Sequence, residues 1–293
     1  MQISNNEEFL FVVAHCPFLS HREKWKCVID TLPELSCFTH LKETNYLLTY
    51  AKKQKFNQYL NEFDVRGVKE KYKKAYLHTV SLNSLDYPDA LKNSYEPPIL
   101  LFYKGDFSLL DQLLIGMVGA RDCTEYGNKV LDHLIPSLVS SNMVTVSGLA
   151  RGIDTLVHTK TIENGGKTIA VIGNGIGYSY PKENKALQEN IATHHLLISE
   201  YPLNAAPRKH HFPLRNRIIA GLSRGTVVVE AKERSGSLIT ARMALEEGRE
   251  VFAVPGSIFS EHSKGCLDLI KLGAISCQSP EDIFDEWNLA FVK

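Results

Sequence analysis

Met143-Val144-Thr145-Val146-Ser147-Gly148-Leu149-Ala150-Arg151-Gly152-Ile153-Asp154 is a short apolar run, rich in β-branched residues, that stops at a glycine turn and continues into a helix-compatible segment. A run of this length without apolar–polar alternation reads as a strand covered on both faces. The same unit recurs along the chain. Leu114-Ile115-Gly116-Met117-Val118 precedes it, and Thr168-Ile169-Ala170-Val171-Ile172, Leu196-Leu197-Ile198-Ser199, Thr226-Val227-Val228-Val229 and Val251-Phe252-Ala253-Val254 follow, each leading through a turn into a polar stretch. Such repetition predicts an α/β fold, an extended Rossmann-like, mostly parallel sheet with helices on both faces. In that architecture ligands sit outside the carboxyl ends of the strands, so the residues just after each run are the candidate site.

Upstream the pattern is different. Apolar residues there stand at helical spacing, as in Phe9-Leu10-Val13 and Tyr46-Leu47-Tyr50, with no β-rich alternation before Tyr76. We expect a small helical domain over 1–75, the Rossmann-like domain over 76–287 and a tail over 288–293. The segment 51–74 carries Lys52, Lys53, Lys55, Lys69, Lys71, Lys73 and Lys74, which reads either as a solvated helix surface or as a phosphate-contacting face.

Composition narrows the function. Lys+Arg and Asp+Glu both number 33, so no global positive field exists and any anion site must be a local patch. The six cysteines form no CxxC pair and alternate with no histidine at ligand spacing, which speaks against a zinc site and against a disulfide framework. The histidine pairs at 194–195 and 210–211 lack a carboxylate or cysteine at matching spacing, so no metal is expected. The apolar stretch 9–16 is too short to span a bilayer and follows Glu7 and Glu8 where a signal peptide would carry basic residues. The expectation is a cytoplasmic protein with no membrane segment.

The strand-end residues suit anions. Gly119-Ala120-Arg121 lets a backbone approach a phosphate while Arg121 forks onto it. Ser147-Gly148 opens a turn into a helix whose free N–H groups favour phosphate, although Ser147 and Asp154 also suit a structural brace. Gly173-Asn174-Gly175-Ile176-Gly177-Tyr178 nearly forms a dinucleotide fingerprint, with Glu200 placed for a ribose hydroxyl, but Tyr178 stands at the third glycine position and Pro181 delays the helix. Lys182 then projects as a point charge. The segment 207–217 is the densest basic cluster, with Phe212 among the cations, which suits a single strand that offers stacking faces and phosphates; alternatively Arg215 and Arg217 pair with nearby carboxylates. Ser235-Gly236 begins a further helix with exposed amides. Neither Ser147 nor Ser235 lies in a GxSxG elbow or beside an activating base, so no catalytic residue is assigned and no cofactor is expected.

The ordered set Val118-Gly119-Ala120-Arg121, Ser147 through Asp154, Tyr180-Pro181-Lys182-Glu183-Asn184, Arg215-Asn216-Arg217-Ile218-Ile219-Ala220-Gly221-Leu222-Ser223, Ser235-Gly236-Ser237-Leu238-Ile239-Thr240-Ala241 and Val254-Pro255-Gly256 resembles the DNA-processing protein A (DprA/Smf) family. The resemblance implies a non-enzymatic recombination mediator that binds single-stranded DNA, protects it and loads RecA during natural transformation. It implies DNA contacts at Arg121 and Lys182, backbone contacts around Ser147-Gly148 and Ser235-Gly236, and further contacts at Arg215, Asn216 and Arg217. Where the family carries a serine between glycine and arginine, this chain has Ala120. A homodimer and a RecA-facing surface are implied near Met243 and 263–275, where Leu267, Ile270 and Leu272 supply apolar area; a monomer would bury these in its own core. The chain is expected to lack the winged-helix domain of some members. The alternative is a nucleotide-binding Rossmann enzyme of the lysine-decarboxylase-like phosphoribohydrolase class, whose PGGxGT loop is missing at the comparable strand end, 230–236. A nicotinamide dehydrogenase would rest on Gly173, Gly175 and Glu200 alone.

Overall fold

The computed structural model describes residues 5–38 and 48–289; Tyr46, Leu47 and the tail positions 290–293 lie outside them. The chain opens with α1 (Asn6–His15), α2 (His21–Thr31), α3 (Tyr50–Glu62) and α4 (Val65–Lys74). Each start is fixed by a side chain that accepts an otherwise orphaned backbone N–H: Asn5, Ser20, Thr49 and Asp64 in turn. Ser20 and Glu23 form a reciprocal capping box. The expected helical segment is therefore present, and it packs against the sheet. One apolar core runs from Leu10 and Trp25 to Phe102 and Ile198, and the rings of His15 and Tyr72 meet Phe102 at 5.4 and 5.9 Å. Of the lysines in 51–74, Lys52 pairs with Glu23 and Lys69 with Glu8, while Lys53, Lys71, Lys73 and Lys74 are exposed.

The remaining elements are β1 (His78–Ser81), α5 (Asp89–Lys92), β2 (Leu100–Gly105), β3 (Leu114–Val118), α6 (Glu125–Ser140), β4 (Val144–Ser147), α7 (Ile153–Glu163), β5 (Thr168–Ile172) and α8 (Lys185–His194). They continue with β6 (Leu196–Ser199), α9 (His211–Leu222), β7 (Gly225–Val228), α10 (Gly236–Glu246), β8 (Glu250–Ala253), α11 (Lys264–Lys271), β9 (Ile275–Ser276) and α12 (Pro280–Glu286). Among the described residues, nine strands join one sheet in the order β1-β2-β6-β5-β4-β3-β7-β8-β9. The strands from β3 to β9 are parallel, and β2 runs antiparallel to both its neighbours. The six apolar runs are all strands.

Period-two alternation sends side chains to opposite faces, and here it divides two cores. Leu114, Val118 and Val228 enter the core shared with Ile218 and Ile219 of α9, Ala241 of α10 and the N-terminal helices. Ile115, Met117, Val227 and Phe252 enter the other, with Leu131 and Leu134 of α6, Val157 of α7 and Ile283 and Phe284 of α12. Helices therefore cover both faces, as the parallel part of the sheet requires. The chain leaves β3 toward β4, β5 and β6, then returns to β7 on the other side of β3. That reversal makes the β3–β7 boundary the switch point. Among the described residues, no helix is long and apolar enough to cross a membrane.

Candidate functional site

The switch point, where a Rossmann sheet ordinarily takes a dinucleotide, is filled from within. Glu230, just after β7, is 3% exposed. Its carboxylate accepts the Thr124 backbone N–H at 2.9 Å and the Thr124 hydroxyl. Thr124 is itself the N-cap of α6. A Cβ at position 127 would lie 2.5 Å from Glu230 Oε2, so Gly127 makes the room. The helix N-terminus that would bind a pyrophosphate already holds an internal carboxylate.

The open site lies to the other side, over the ends of β3, β4 and β5. A cavity of about 70 Å³ is bounded there by Arg121 after β3, Gly148 and Arg151 after β4, Gly173 after β5, Tyr180-Pro181, and Phe212 and Arg215 of α9. That is room on the order of one phosphate group with a few waters. Close backbone approaches shape it. A Cβ at Gly148 would stand 1.9 Å from Arg215 Nη1, so glycine is what lets the α9 guanidinium reach the end of β4. Gly152, at φ 73°, brings its backbone against Ala120, whose carbonyl accepts the Ile153 N–H at 3.1 Å as α7 starts.

The charges differ in their freedom. Arg121 and Lys182 are exposed. Arg151 is also exposed and pairs with Glu183; a solvent-screened surface pair of this kind is weak, so a phosphate can take the guanidinium over. Arg215 is buried and donates to the Val171 carbonyl. Burial presses against its charge, and the Asp154 carboxylate beside it offsets this. Burial raises the Asp154 carboxyl above the usual carboxylate range, while Arg215 pulls it back. Asn184 donates to Leu149 O at 3.0 Å and to Thr155 Oγ1 at 2.8 Å, which ties the Lys182 turn to the turn between β4 and α7. The rings of Tyr180 and Phe212 meet at 5.3 Å, and Tyr180 is half-exposed, offering a π-face beside the cations.

The structure thus brings Arg121, Gly148, Phe212 and Arg215 to one corner of the sheet edge, with Lys182 exposed just beyond Pro181 of its wall, and separates most of the other expected residues from solvent or from that corner. The Ser147 hydroxyl is fully buried and donates to Met117 O at 2.7 Å, so it braces β4 on β3. Asn216 donates to Gly236 O at 3.3 Å. Arg217 is buried against Glu200 at 2.7 Å. Arg217 therefore pairs with a carboxylate while Arg215 is tied to a backbone carbonyl, and both are internal guanidiniums, not surface cations. Ser235 caps α10, accepting the Ser237 N–H, and Gly236 is open. Glu200, the acid a nicotinamide site would need, is occupied by Arg217 and His21, and Gly175 packs onto the carbonyls of Pro202 and Leu203. Arg151 and Tyr180 belong to the site without having been singled out by sequence; their signal was adjacency to Gly152 and Pro181. Met243, Leu267 and Ile270 are half-buried on α10 and α11, and Leu272 is 82% exposed. All six cysteines are free thiols, and the described residues contain no cluster suited to a metal ion.

Comparison with known proteins shows the family and the fold. The family model for DNA recombination-mediator protein A matches residues 78–288. DNA processing protein DprA of Bacillus subtilis is 50% identical over 216 residues, 73% of this chain and 73% of that protein. Its counterpart from Streptococcus pneumoniae is 52% identical over 201 residues, 69% and 71% of the two chains. The X-ray structure of Streptococcus pneumoniae DprA superposes with a TM-score of 0.82 at 40% identity, covering 97% of this chain and 99% of that one. A structure describing the single-stranded DNA binding mode of DNA processing protein A from Helicobacter pylori gives a TM-score of 0.65 at 29% identity, covering 72% and 95%. With the family model spanning most of the chain and relatives of 50% identity and more covering over two thirds of it, the chain belongs to the DNA recombination-mediator protein A family.

Proposed function

We propose that the chain binds single-stranded DNA across the carboxyl ends of β3, β4 and β5, shields it, and passes it to RecA. The observation that carries this reading is the convergence of guanidiniums and an aromatic pair on a phosphate-sized cavity at an open sheet edge. Arg121, Lys182 and Arg151 neutralise phosphates, Arg215 and the Gly148 backbone form the cavity wall, and Tyr180 with Phe212 gives a base its stacking surface. The Ser235-Gly236 turn contributes backbone N–H groups farther along the edge, and Asn216 and Arg217 act by holding α9. Affinity built this way is strongly salt-dependent and nearly blind to sequence. Fluorescence anisotropy with oligo-dT tests it: Arg121→Glu and Lys182→Glu should each abolish binding in a folded protein, and wild-type affinity from both variants, or equal affinity for duplex and single strand, would refute the assignment.

The RecA step draws on the family's description as a recombination mediator. A homodimer through Met243, Leu267, Ile270 and Leu272, a division into a helical unit over 1–75 and a Rossmann-like unit over 76–287, and work in the cytoplasm during natural transformation complete the proposal. RecA-dependent strand exchange on strands coated with single-strand binding protein tests the first of these. No stimulation by the wild-type chain would remove RecA from it.

A further inference from the structure

We propose that His21 is a positioning residue for the strand-binding cavity, acting through Glu200 and Arg217 on α9; the inference rests on the single-stranded DNA reading above. His21 is the first residue of α2, in the N-terminal helical segment. Its Nε2 lies 3.2 Å from Glu96 Oε2 and its Nδ1 3.5 Å from Glu200 Oε1. Arg217 Nη2 donates to the same Glu200 oxygen at 2.7 Å. The side chains of His21, Glu96, Glu200 and Arg217 are 14, 8, 12 and 7% exposed. Four ionisable groups from four separate segments are thus withdrawn from water together.

Two carboxylates and two bases balance only when His21 carries its proton. Without it one buried carboxylate is left uncompensated, which is costly in a low-dielectric interior. Burial and the nearby Arg217 press the imidazolium toward neutrality, but the hydrogen bonds with Glu200 and Glu96 prevail and raise its pKa above the ordinary value of 6.5. The other groups facing the cluster are committed elsewhere or uncharged: burial keeps the Tyr201 phenol neutral and lowers the His211 imidazole to about 4, so neither carries charge beside Glu200 between pH 6 and 9. Lys24, one turn along α2, donates to Ala14 O and acts on Glu200 only at a distance. Tyr87 donates to Pro98 O at 2.7 Å, and burial keeps its phenol neutral; Tyr95 bonds Glu96. Glu96 itself sits at φ 47°, a left-handed conformation that a non-glycine residue holds only when its surroundings enforce it.

The link to the cavity is α9. Arg215 and Arg217 are two residues apart and so about 200° apart around the helix axis. One guanidinium is anchored at Val171 O by the end of β5, the other at Glu200 after β6. Two anchors on opposite flanks fix the rotation of α9, and with it the placement of Phe212 and Arg215 in the cavity wall. Loosening the Glu200 flank lets the helix turn. The helical segment is in this way a working part of the site.

Oligo-dT affinity of the full chain, measured by anisotropy from pH 6 to 9 beside thermal unfolding, tests the coupling. His21→Ala should weaken binding about tenfold, the scale of coupling through a packed network, although His21 lies outside the cavity. Wild-type affinity should fall as pH rises above 6.5, and His21→Lys, which keeps a cation at the position, should retain neutral-pH affinity and lose that part of the pH dependence. Wild-type affinity in His21→Ala with only a lower unfolding temperature would reduce His21 to a structural clasp and overturn the inference. Should His21→Ala fail to fold, a His21→Lys pH profile identical to that of the wild type overturns it equally. Loss of binding in Arg121→Glu with no effect at His21 sinks this inference alone, whereas a wild-type chain that binds no oligo-dT sinks the underlying reading as well.

Discussion

Gly148→Ala puts one methyl group where the structure has none to spare. The added Cβ would lie 1.9 Å from Arg215 Nη1, 2.4 Å from Cζ and 2.5 Å from Nη2. A long side chain in solvent would swing aside, but Arg215 is only 4% exposed and is held by Val171 O. Moving it breaks a hydrogen bond from a charged group, about 1.5–3 kcal/mol, and overpacks the neighbourhood at about 1–3 kcal/mol. The expected loss is about 3–5 kcal/mol of stability. At roughly 2 °C or more per kcal/mol for a chain of this size, the unfolding temperature should drop by on the order of 10 °C. Oligo-dT affinity should fall with it, because the displaced guanidinium is the cavity wall. Differential scanning fluorimetry and anisotropy read the two effects. Arg215→Ala supplies the decisive background: there the methyl group meets open space, so Gly148→Ala should add less than about 1 kcal/mol, a strongly non-additive cycle. Gly236→Ala, with nothing within 4 Å of its Cβ, is the neutral control. Wild-type stability and affinity in Gly148→Ala, or full additivity with Arg215→Ala, would refute the reasoning.

Arg121→Ala should lower affinity and reduce the slope of log K against log salt by about 1, the signature of one lost phosphate contact, as read from a salt titration; an unchanged slope would move Arg121 off the backbone path. Tyr180→Ala should cost about 1–3 kcal/mol of binding by removing a stacking face, measured with oligo-dT, and an abasic strand should be insensitive to the change. Glu230→Ala should destabilise the fold by about 1–3 kcal/mol through the orphaned Thr124 N–H, measured by urea unfolding, with Glu230→Gln milder because its carbonyl still accepts. Burial alone would raise the Glu200 carboxyl, but Arg217 and His21 hold it at about 2, against an ordinary 4.5; its stabilisation is present above pH 4.5 and is lost as pH falls toward 2. The urea midpoint of the wild type should therefore drop more steeply between pH 5 and 3 than that of Glu200→Gln.

The six central strands were legible because a parallel strand covered on both faces must be apolar throughout, and Leu114–Val118 or Thr168–Ile172 can be little else. The antiparallel extension was not. His78–Ser81 is a short edge strand with polar residues at both ends, and Leu100–Gly105 pairs by contacts far away in sequence; at the other edge the parallel strand Ile275–Ser276 is only two residues long. Arg121 and Lys182 could be placed at the site because they directly follow a strand or its turn. The fate of Arg215 and Arg217 could not, since a dense basic segment looks the same whether its partners are phosphates or an internal carbonyl from β5 and a carboxylate just after β6. Nor could Glu230, whose partner Thr124 stands 106 residues earlier.

The Glu230 carboxylate seated on α6 has a consequence for competition in the cell. A nucleotide cofactor and, on the proposed reading, a DNA strand would otherwise vie for the same sheet edge. With the pyrophosphate berth occupied by a tethered anion at very high local concentration, a free dinucleotide meets a like charge where it needs amides, while a strand crossing the neighbouring corner is untouched. On the single-strand reading proposed above, the site then answers to the polymer and not to the free nucleotide.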